Sequence, residues 1–279
     1  MTPVRMVFPS APAITKSFRG REDRRRMSRF ILKAANSFLN LIVVMSLFLA
    51  ASYAGYALWD NNQVYAAAEN VQDSMIKLKP VVTEEEGASF EELLAVNPDV
   101  CAWVTLDNTN IDFPILQGET NLTYINKDVY GNFALAGSIF LDSRNDHDFH
   151  DLVSLLYGHH MEESDMFGDL DKFKDQTFFD ENKTGQLILP DRVYDLEIFA
   201  CMLVEASEDA IFDPHLYEAD IDKLLSLTEQ EAMHYNADKV SELRNSSGEN
   251  QILLLSTCST EFTDARTIVL AEMKPHSGR

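Results

Sequence analysis

The segment from Ala34 to Trp59 carries no charged residue and is apolar over most of its length. A helix needs about 20 predominantly apolar residues to cross the roughly 30 Å hydrocarbon core of a membrane, and this segment exceeds that length. Such a segment is most stable in lipid, whereas the long, mixed sequence that follows needs a core of its own. The chain is therefore predicted to consist of a membrane anchor followed by a separately folded part.

Charge on either side of this segment predicts its orientation. Nine of the 23 Lys and Arg residues precede Asp60, and positive charge beside a span is retained in the cytoplasm. Tyr53, Tyr56 and Trp59 lie at the far end, where interfacial aromatic residues are typical. A cleavable signal peptide is the alternative, but its apolar region is usually only about 7–15 residues long. We expect an uncleaved, single-pass anchor in the cell membrane, with a cytoplasmic N-terminus and the rest of the chain outside the cell.

The part after Asp60 is strongly acidic. The whole chain has a formal net charge of -22 although its N-terminal part is basic. An acidic surface repels the phosphate backbone, so nucleic acid is excluded as a partner.

Cysteine is scarce in this chain. Its three cysteines, Cys101, Cys201 and Cys258, leave at least one thiol unpaired in an exported domain. Cys101 and Cys201 lie in apolar stretches and are expected to be small buried hydrophobic residues. Cys258 is the thiol whose surroundings indicate chemistry.

Short β segments dominate the sequence after residue 98. We predict about eight strands, near residues 102–106, 111–117, 138–142, 152–159, 185–189, 194–205, 251–258 and 267–273. Helices are predicted near residues 120–126, 163–174 and 220–236. Many strands at irregular spacing with few helices favour a closed β-barrel over a doubly wound sheet. The predicted fold class is mostly β, a barrel with peripheral helices preceded by N-terminal helices and one transmembrane helix.

Three short segments carry residues suited to catalysis. Leu155–Met161 ends an apolar stretch in Tyr-Gly-His-His-Met, Leu253–Ser259 ends another in Ser-Thr-Cys-Ser, and Asp264–Val269 begins Asp-Ala-Arg. A thiol nucleophile needs a partner base, which an imidazole supplies, and a guanidinium stabilises a developing oxyanion. Together the segments supply a nucleophile, a proton donor or acceptor, and a cationic stabiliser.

The amino-acid sequences of these three segments, in this order, resemble those of the sortases, the Gram-positive surface transpeptidases. The stretches Asp112–Gly118 and Gly137–Asp142, and an Asp-Ala-Arg whose arginine lies eight residues after the cysteine, resemble the class B branch. The resemblance covers about residues 90–274. We expect no second apolar span after Met273, unlike the class C branch.

The resemblance implies a role for each matching residue. Cys258 is the expected nucleophile, His159 the acid/base and Arg266 the oxyanion or substrate clamp, while His160 is expected to be a polar rim residue. The residues expected to bind substrate are Asn121, Ile125, Ser207, Ile211, Phe212 and Ser256. The family usually has a Tyr near residues 207–212 that is absent here, which bears on peptide preference more than on the reaction.

The resemblance also implies the reaction, the partners and the domains. The thiol would cleave an LPxTG- or NPxTN-like sorting signal of a surface protein and pass the acyl group to an amine of the cell-wall precursor or of a pilin Lys. The expected domains are a basic cytoplasmic tail (1–33), a transmembrane anchor (34–59), a helical neck with an acidic linker (60–88) and the sortase catalytic domain (89–279).

The sequence also contains features that other functions could use. The HDFHD stretch at residues 147–151 matches no ligand spacing of defined geometry, so neither a metal nor a cofactor is expected. A thiol peptidase that releases peptides to water is the alternative enzyme. A non-catalytic surface adhesin is the alternative from another functional class.

Overall fold

The structure, a computed structural model, describes residues 15–83, 87–161, 166–246, 250–258 and 264–276, with the backbone alone for 15–22, 82–83, 87–88 and 258. The chain forms two units, Met1–Asn61 and Asn62–Arg279. Helix α1, Thr15–Ile76, begins in the first unit and ends in the second. Within α1, the stretch Asp23–Ile76 contains a window long and apolar enough to cross a membrane, by length and composition.

Eight strands of the second unit form one closed sheet. They are β3 (Val100–Leu106), β4 (Asp112–Leu116), β5 (Ile139–Leu141), β6 (Val153–Tyr157), β7 (Thr184–Ile188), β8 (Val193–Glu205), β10 (Gln251–Cys258) and β11 (Ala265–Pro275). Their order is β11-β10-β6-β5-β4-β3-β7-β8, and a further pairing of β11 with β8 closes the barrel. A ninth strand, β9 (Ala232–Tyr235), adds to β8, and the short β1 (Val82–Thr83) pairs with β2 (Gly87–Ala88). The predicted eight-stranded barrel is confirmed.

The helices lie outside the barrel. They are α2 (Glu91–Val96), α3 (Gln176–Glu181), α4 (Asp209–Phe212), α5 (Asp222–Glu231) and α6 (Ala237–Asn245), with 3-10 helices at Gly168–Lys174 and Pro214–Tyr217.

Alternation along the strands divides the buried side chains between the interior of the barrel and its outer faces. One hydrophobic cluster includes residues from all eight barrel strands, such as Val104, Leu156 and Val269, and fills the interior. The intervening residues of β10 and β11, such as Leu254 and Ile268, pack outward against α4, α5 and α6. A third cluster lies where the end of α1 and α2 cover β3.

The helix predicted near residues 120–126 is wrong, because this segment forms successive turns. The Thr120 and Thr123 hydroxyls both accept hydrogen bonds from nearby backbone N–H groups, which compete with helical hydrogen bonds. Asn121, between them, donates to Asp142 (2.9 Å) and accepts from the Ser143 backbone N–H (2.7 Å). The segment is held by the next loop of the barrel rather than by its own backbone.

The helix predicted near residues 220–236 is only partly right. Helix α5 ends at Glu231, and Ala232–Tyr235 pairs with β8 as β9. The backbone of β8 forms hydrogen bonds with this segment. Its periodicity in the sequence is helical and gives no sign of a strand partner. Helix α6 follows without having been predicted, with the Asn236 side chain capping it by accepting from the Lys239 N–H (3.2 Å).

The predicted helix near residues 163–174 overlaps the 3-10 helix Gly168–Lys174, and its residues 163–165 lie outside the described residues.

Replacement of Lys239 by Met tests how α6 is fixed to the barrel. The Lys239 side chain is 5% exposed, and its ammonium pairs with Glu197 on β8 (3.0 Å) and Glu272 on β11 (3.2 Å). Lys239→Met leaves the buried Glu272 with Lys274 alone, at 3.5 Å, so we expect the free energy of unfolding in urea to fall by on the order of 2 kcal/mol. The control is Arg244→Gln on the same helix, which breaks only an exposed pair with Glu229 and should cost far less. Equal losses for the two variants would contradict this account.

Candidate active site

A cleft of about 400 Å³ opens on the barrel at the ends of β6 and β10 and the start of β11. The cleft is lined by the last residues of the buried strands β6 and β10 and by the first residues of β11. Its lining residues are Asn121, Leu122, Ile125, Phe140, Arg144, Tyr157, Gly158, His159, Ala206, Phe212, Ser256, Thr257 and Arg266.

The parallel pairing of β6 with β10 brings His159 and Cys258 to the same end of the sheet. Tyr157 and Ser256 are partners in register, and the Gly158 N–H donates to the Ser256 carbonyl (3.1 Å). His159 and Cys258 each lie two residues beyond that pair, so both lie at the same end of the sheet.

Arg266 approaches the same point from the other side of β10. Its Cα is the register partner of Cys258 in the antiparallel pair β10–β11, and its side chain lines the cleft. The guanidinium donates to the Ala265 carbonyl (2.9 Å), and among the described residues no carboxylate forms an ion pair with it. The charge of Arg266 is therefore available to an anion that forms in the cleft.

His159 is held by a backbone carbonyl. Its Nε2 lies 2.6 Å from the carbonyl oxygen of Ile125, and because a carbonyl only accepts, Nε2 must carry the proton. Nδ1 is then the ring nitrogen that is free to exchange a proton.

Gly137 packs against the peptide that receives this hydrogen bond. Its φ is +60°, and a Cβ added to it would lie 2.6 Å from the Ile125 carbonyl oxygen and 2.9 Å from that of Tyr124. Both the backbone conformation and the close approach require glycine at this position.

Asp171, in the 3-10 helix behind the cleft, contacts two residues that adjoin cleft residues in the sequence. It pairs with His160 (3.0 Å), next to His159, and accepts from the Thr267 hydroxyl (2.9 Å), next to Arg266. Burial raises the pKa of the Asp171 carboxyl, but the Lys174 ammonium and the Thr267 hydroxyl outweigh burial and lower that pKa overall. The His160 side chain, expected to be a polar rim residue, is 22% exposed and makes this contact.

The other two cysteines are placed unlike a nucleophile. Cys101 is 1% exposed and Cys201 is fully buried. Burial raises the pKa of both thiols, that of Cys201 to about 12, so neither forms a thiolate at neutral pH.

Four of the six residues expected to bind substrate line the cleft: Asn121, Ile125, Phe212 and Ser256. Ser207 is exposed and donates to Glu205 (3.4 Å), and its neighbour Ala206 lines the cleft instead. Ile211 is 1% exposed and packs in the cluster on the outer face of the barrel.

Two buried hydroxyls next to the cysteine have no partner in the described parts of the chain. Ser256 and Thr257 are each 2% exposed, both line the cleft, and neither hydroxyl makes a hydrogen bond. Buried polar groups are rarely left unpaired, so these hydroxyls are suited to a bound molecule.

Sequence reasoning missed several cleft residues. Tyr157 belongs to the Tyr-Gly-His motif and Phe140 to the stretch Gly137–Asp142, and both could have been assigned from these motifs. Arg144 lies in a loop whose approach to the cleft no local pattern reveals.

The loop that contains the HDFHD stretch and the preceding Asp146 brings three possible metal ligands together. Atoms of Asp146, Asp148 and His150 lie within 4.8 Å of one another. All three side chains are exposed, and hydrogen bonds within the loop, such as His150 Nδ1 to Asp146 (3.3 Å), account for their closeness.

Replacement of Gly137 by Ala should displace the Ile125 carbonyl and loosen the His159 ring. The control is Gly131→Ala, because Gly131 also has positive φ (+79°) but faces open space. Both variants should lose about 1 kcal/mol from the left-handed backbone, and Gly137→Ala more. Thermal unfolding measures the loss, and NMR of the imidazole reports the ring. The role of Gly137 in positioning the Ile125 carbonyl would be contradicted if the His159 signals were unchanged in Gly137→Ala but shifted in Gly131→Ala.

Comparison with known proteins identifies the family, although no protein-family model matches the chain. Sortase B of Listeria monocytogenes is 30% identical over 225 residues, which cover 79% of this chain and 88% of that relative. A Streptococcus pyogenes class B sortase involved in pilus biogenesis is 37% identical, with 67% of this chain and 98% of that chain covered and a TM-score of 0.60. The Staphylococcus aureus sortase B–substrate complex is 27% identical, with coverages of 77% and 98% and a TM-score of 0.64.

The chain matches a relative along most of that relative's length, and it shares the closed barrel of the solved structures. Its cleft lies at the ends of β6 and β10 and the start of β11. The chain belongs to the class B sortases, which are cysteine transpeptidases.

Proposed function

We propose that Cys258, His159 and Arg266 carry out the transpeptidase reaction of this chain. The observation that supports this assignment most strongly is the position of β10 between β6 and β11, which brings the backbones of all three residues to one end of the cleft. Cys101 and Cys201, in contrast, are both buried in the core of the barrel.

In the first half of the reaction, the Cys258 thiolate attacks the carbonyl carbon of the scissile peptide bond. Arg266 stabilises the oxyanion that forms, because its charge has no competing carboxylate partner within the described ranges. His159, held through Nε2, donates a proton from Nδ1 to the departing amine. The C–N bond breaks, and the acyl group remains on Cys258 as a thioester.

In the second half, an amine attacks the thioester carbonyl and gives up a proton to His159. The thiolate then leaves, and a new amide bond joins the surface protein to the acceptor. The acceptor is an amine of the cell-wall precursor or of a pilin Lys. The relative involved in pilus biogenesis supports the second of these.

The substrate is the C-terminal sorting signal of a surface protein, an LPxTG- or NPxTN-like peptide. The Staphylococcus aureus relative has been solved as a substrate complex. The cleft here has apolar walls at Ile125 and Phe212, and the hydroxyls of Ser256 and Thr257 have no partner among the residues that the structure describes. Asn121 lines the same cleft, whereas Ser207 and Ile211 do not and belong to the segment that carries Ala206 and Phe212 to it.

The proposed location is the cell membrane, with the catalytic domain outside. The apolar window of α1 supports an anchor, with basic residues 1–33 as the cytoplasmic tail, 34–59 as the span, 60–88 as neck and linker, and 89–279 as the catalytic domain. A tether suits this reaction because both the donor and the acceptor are held at the same membrane, which raises their effective concentration.

Turnover of a fluorogenic sorting peptide by the full chain in detergent, with and without a primary amine, tests the assignment. Cys258→Ala should abolish cleavage, and His159→Ala and Arg266→Ala should each lower kcat by about 100-fold or more, because each removes a group that acts in the transition state. Cys201→Ala, which alters a buried thiol away from the cleft, is the matched control and should keep its kcat.

Mass spectrometry of the products separates the candidate reactions. An amide of the peptide with the added amine supports transpeptidation. Release of free acid alone, at every amine concentration, would instead indicate a thiol peptidase. Unchanged cleavage by Cys258→Ala would contradict both.

A further inference from the structure

Arg144 lies in the loop after β5 and lines two cavities at once, the cleft and a second cavity of about 620 Å³ beside it. The second cavity is bounded by residues that follow Phe212, including Pro214 and Tyr217. Arg144 therefore lies between the two cavities and forms part of one wall of the cleft.

Asp142 is the inner partner of Arg144 and is fully buried. Arg144 donates to both of its carboxylate oxygens, from Nε (2.9 Å) and from Nη2 (2.8 Å). Asn121 (2.9 Å) and the Tyr157 hydroxyl (3.0 Å) also donate to this carboxylate. Burial raises the pKa of the Asp142 carboxyl, but the hydrogen bonds from Arg144 and Asn121 outweigh burial and lower that pKa overall. A charged Asp142 thus fixes two cleft residues, Asn121 and Tyr157, through one anion.

The outer side of the Arg144 guanidinium contacts the opposite wall. Nη2 also donates to the backbone carbonyl of Phe212, and Nη1 lies 3.4 Å from a carboxylate oxygen of Asp213. The Phe212 ring stacks on the Tyr157 ring, with centroids 6.4 Å apart and planes 12° apart. Arg144 therefore joins the segment of Phe212 to the carboxylate that holds Asn121 and Tyr157.

We propose that Arg144 is the positioning residue that sets the width of the peptide cleft, by holding the Phe212 wall at a fixed distance from the Asn121 wall. The inference rests on the proposed function of the cleft. Arg144 acts through Phe212 and Asp142 and not on the reacting atoms, so it governs peptide binding more than the chemical steps. A planar guanidinium can serve both walls at once because its donors diverge in one plane, which an ammonium cannot do.

Three variants of the full chain separate the two halves of the contact. Arg144→Met keeps the length of the side chain but removes every donor. Arg144→Lys keeps a charge for Asp142 but cannot also reach the Phe212 carbonyl in a fixed geometry. Asp213→Asn removes the charge of the exposed outer pair and keeps a side-chain oxygen to accept from the His215 N–H. Arg244→Gln, which breaks a two-point arginine–carboxylate pair away from the cleft, is the matched control.

We expect Arg144→Met to raise the KM for the sorting peptide by about tenfold or more while kcat changes by less than about threefold. Arg144→Lys should fall between Arg144→Met and the unaltered chain, and Asp213→Asn and Arg244→Gln should lie within about twofold of it. Modification of Cys258 by a small methanethiosulfonate should keep its rate in every variant, because such a reagent does not need both walls. An unaltered KM in Arg144→Met, or equal losses of kcat and of thiol reactivity, would overturn the proposal.

Hydrogen exchange tests the same claim without turnover, so its outcome is separate from that of the proposed function. Backbone amides of residues 211–217 should exchange at least about tenfold faster in Arg144→Lys than in the unaltered chain, with no such change in Arg244→Gln. Arg144→Lys keeps the buried carboxylate paired, so this variant decides the matter even where Arg144→Met does not fold. Equal exchange in Arg144→Lys and the unaltered chain would show that Arg144 does not hold this wall.

Discussion

The pairing of β10 with a strand on each side is the constraint on which the cleft depends. β10 runs parallel to β6 and antiparallel to β11, so it delivers its own last residue, Cys258, between the residues that follow β6 and those that begin β11. Alternate residues of β10 fill the barrel interior and the outer cluster, so both of its faces are buried. A one-residue slip would exchange these faces, so that side chains packed in the barrel interior would have to fit under the outer helices and the reverse, and this misfit fixes the register. The positions of the three proposed catalytic residues follow from it.

Side-chain positions around that frame are fixed by polar contacts from loops. The Ile125 carbonyl holds His159, and Gly137 leaves room for that carbonyl. Asp171 lies behind the cleft and contacts the neighbours of His159 and Arg266, while Arg144 joins its two walls. Rigid strands thus supply the proposed catalytic groups, and the loops supply the contacts that orient them.

The sequence predicted the barrel because its strands bury long apolar or alternating stretches, a signal that needs no knowledge of their partners. It failed where tertiary contacts decide the backbone. Residues 120–126 form turns because the Thr120 and Thr123 hydroxyls accept from nearby backbone N–H groups and Asn121 donates to Asp142. Residues 232–235 form a strand because they pair with the edge of β8. Residues at strand ends could be assigned as site candidates from short motifs. The roles of Arg144, Asp171 and the Ile125 carbonyl could not, because each depends on contacts between segments far apart in the chain.

The end of β10 carries the proposed nucleophile of this class B sortase. It can be identified by trapping the full chain with a sorting peptide in the absence of an amine, followed by proteolysis and mass spectrometry. We expect the acyl mass on Cys258, and hydroxylamine should remove it, as it removes a thioester. An acyl group on another residue, or cleavage of the peptide with no covalent intermediate in rapid-quench samples, would contradict this assignment of the nucleophile.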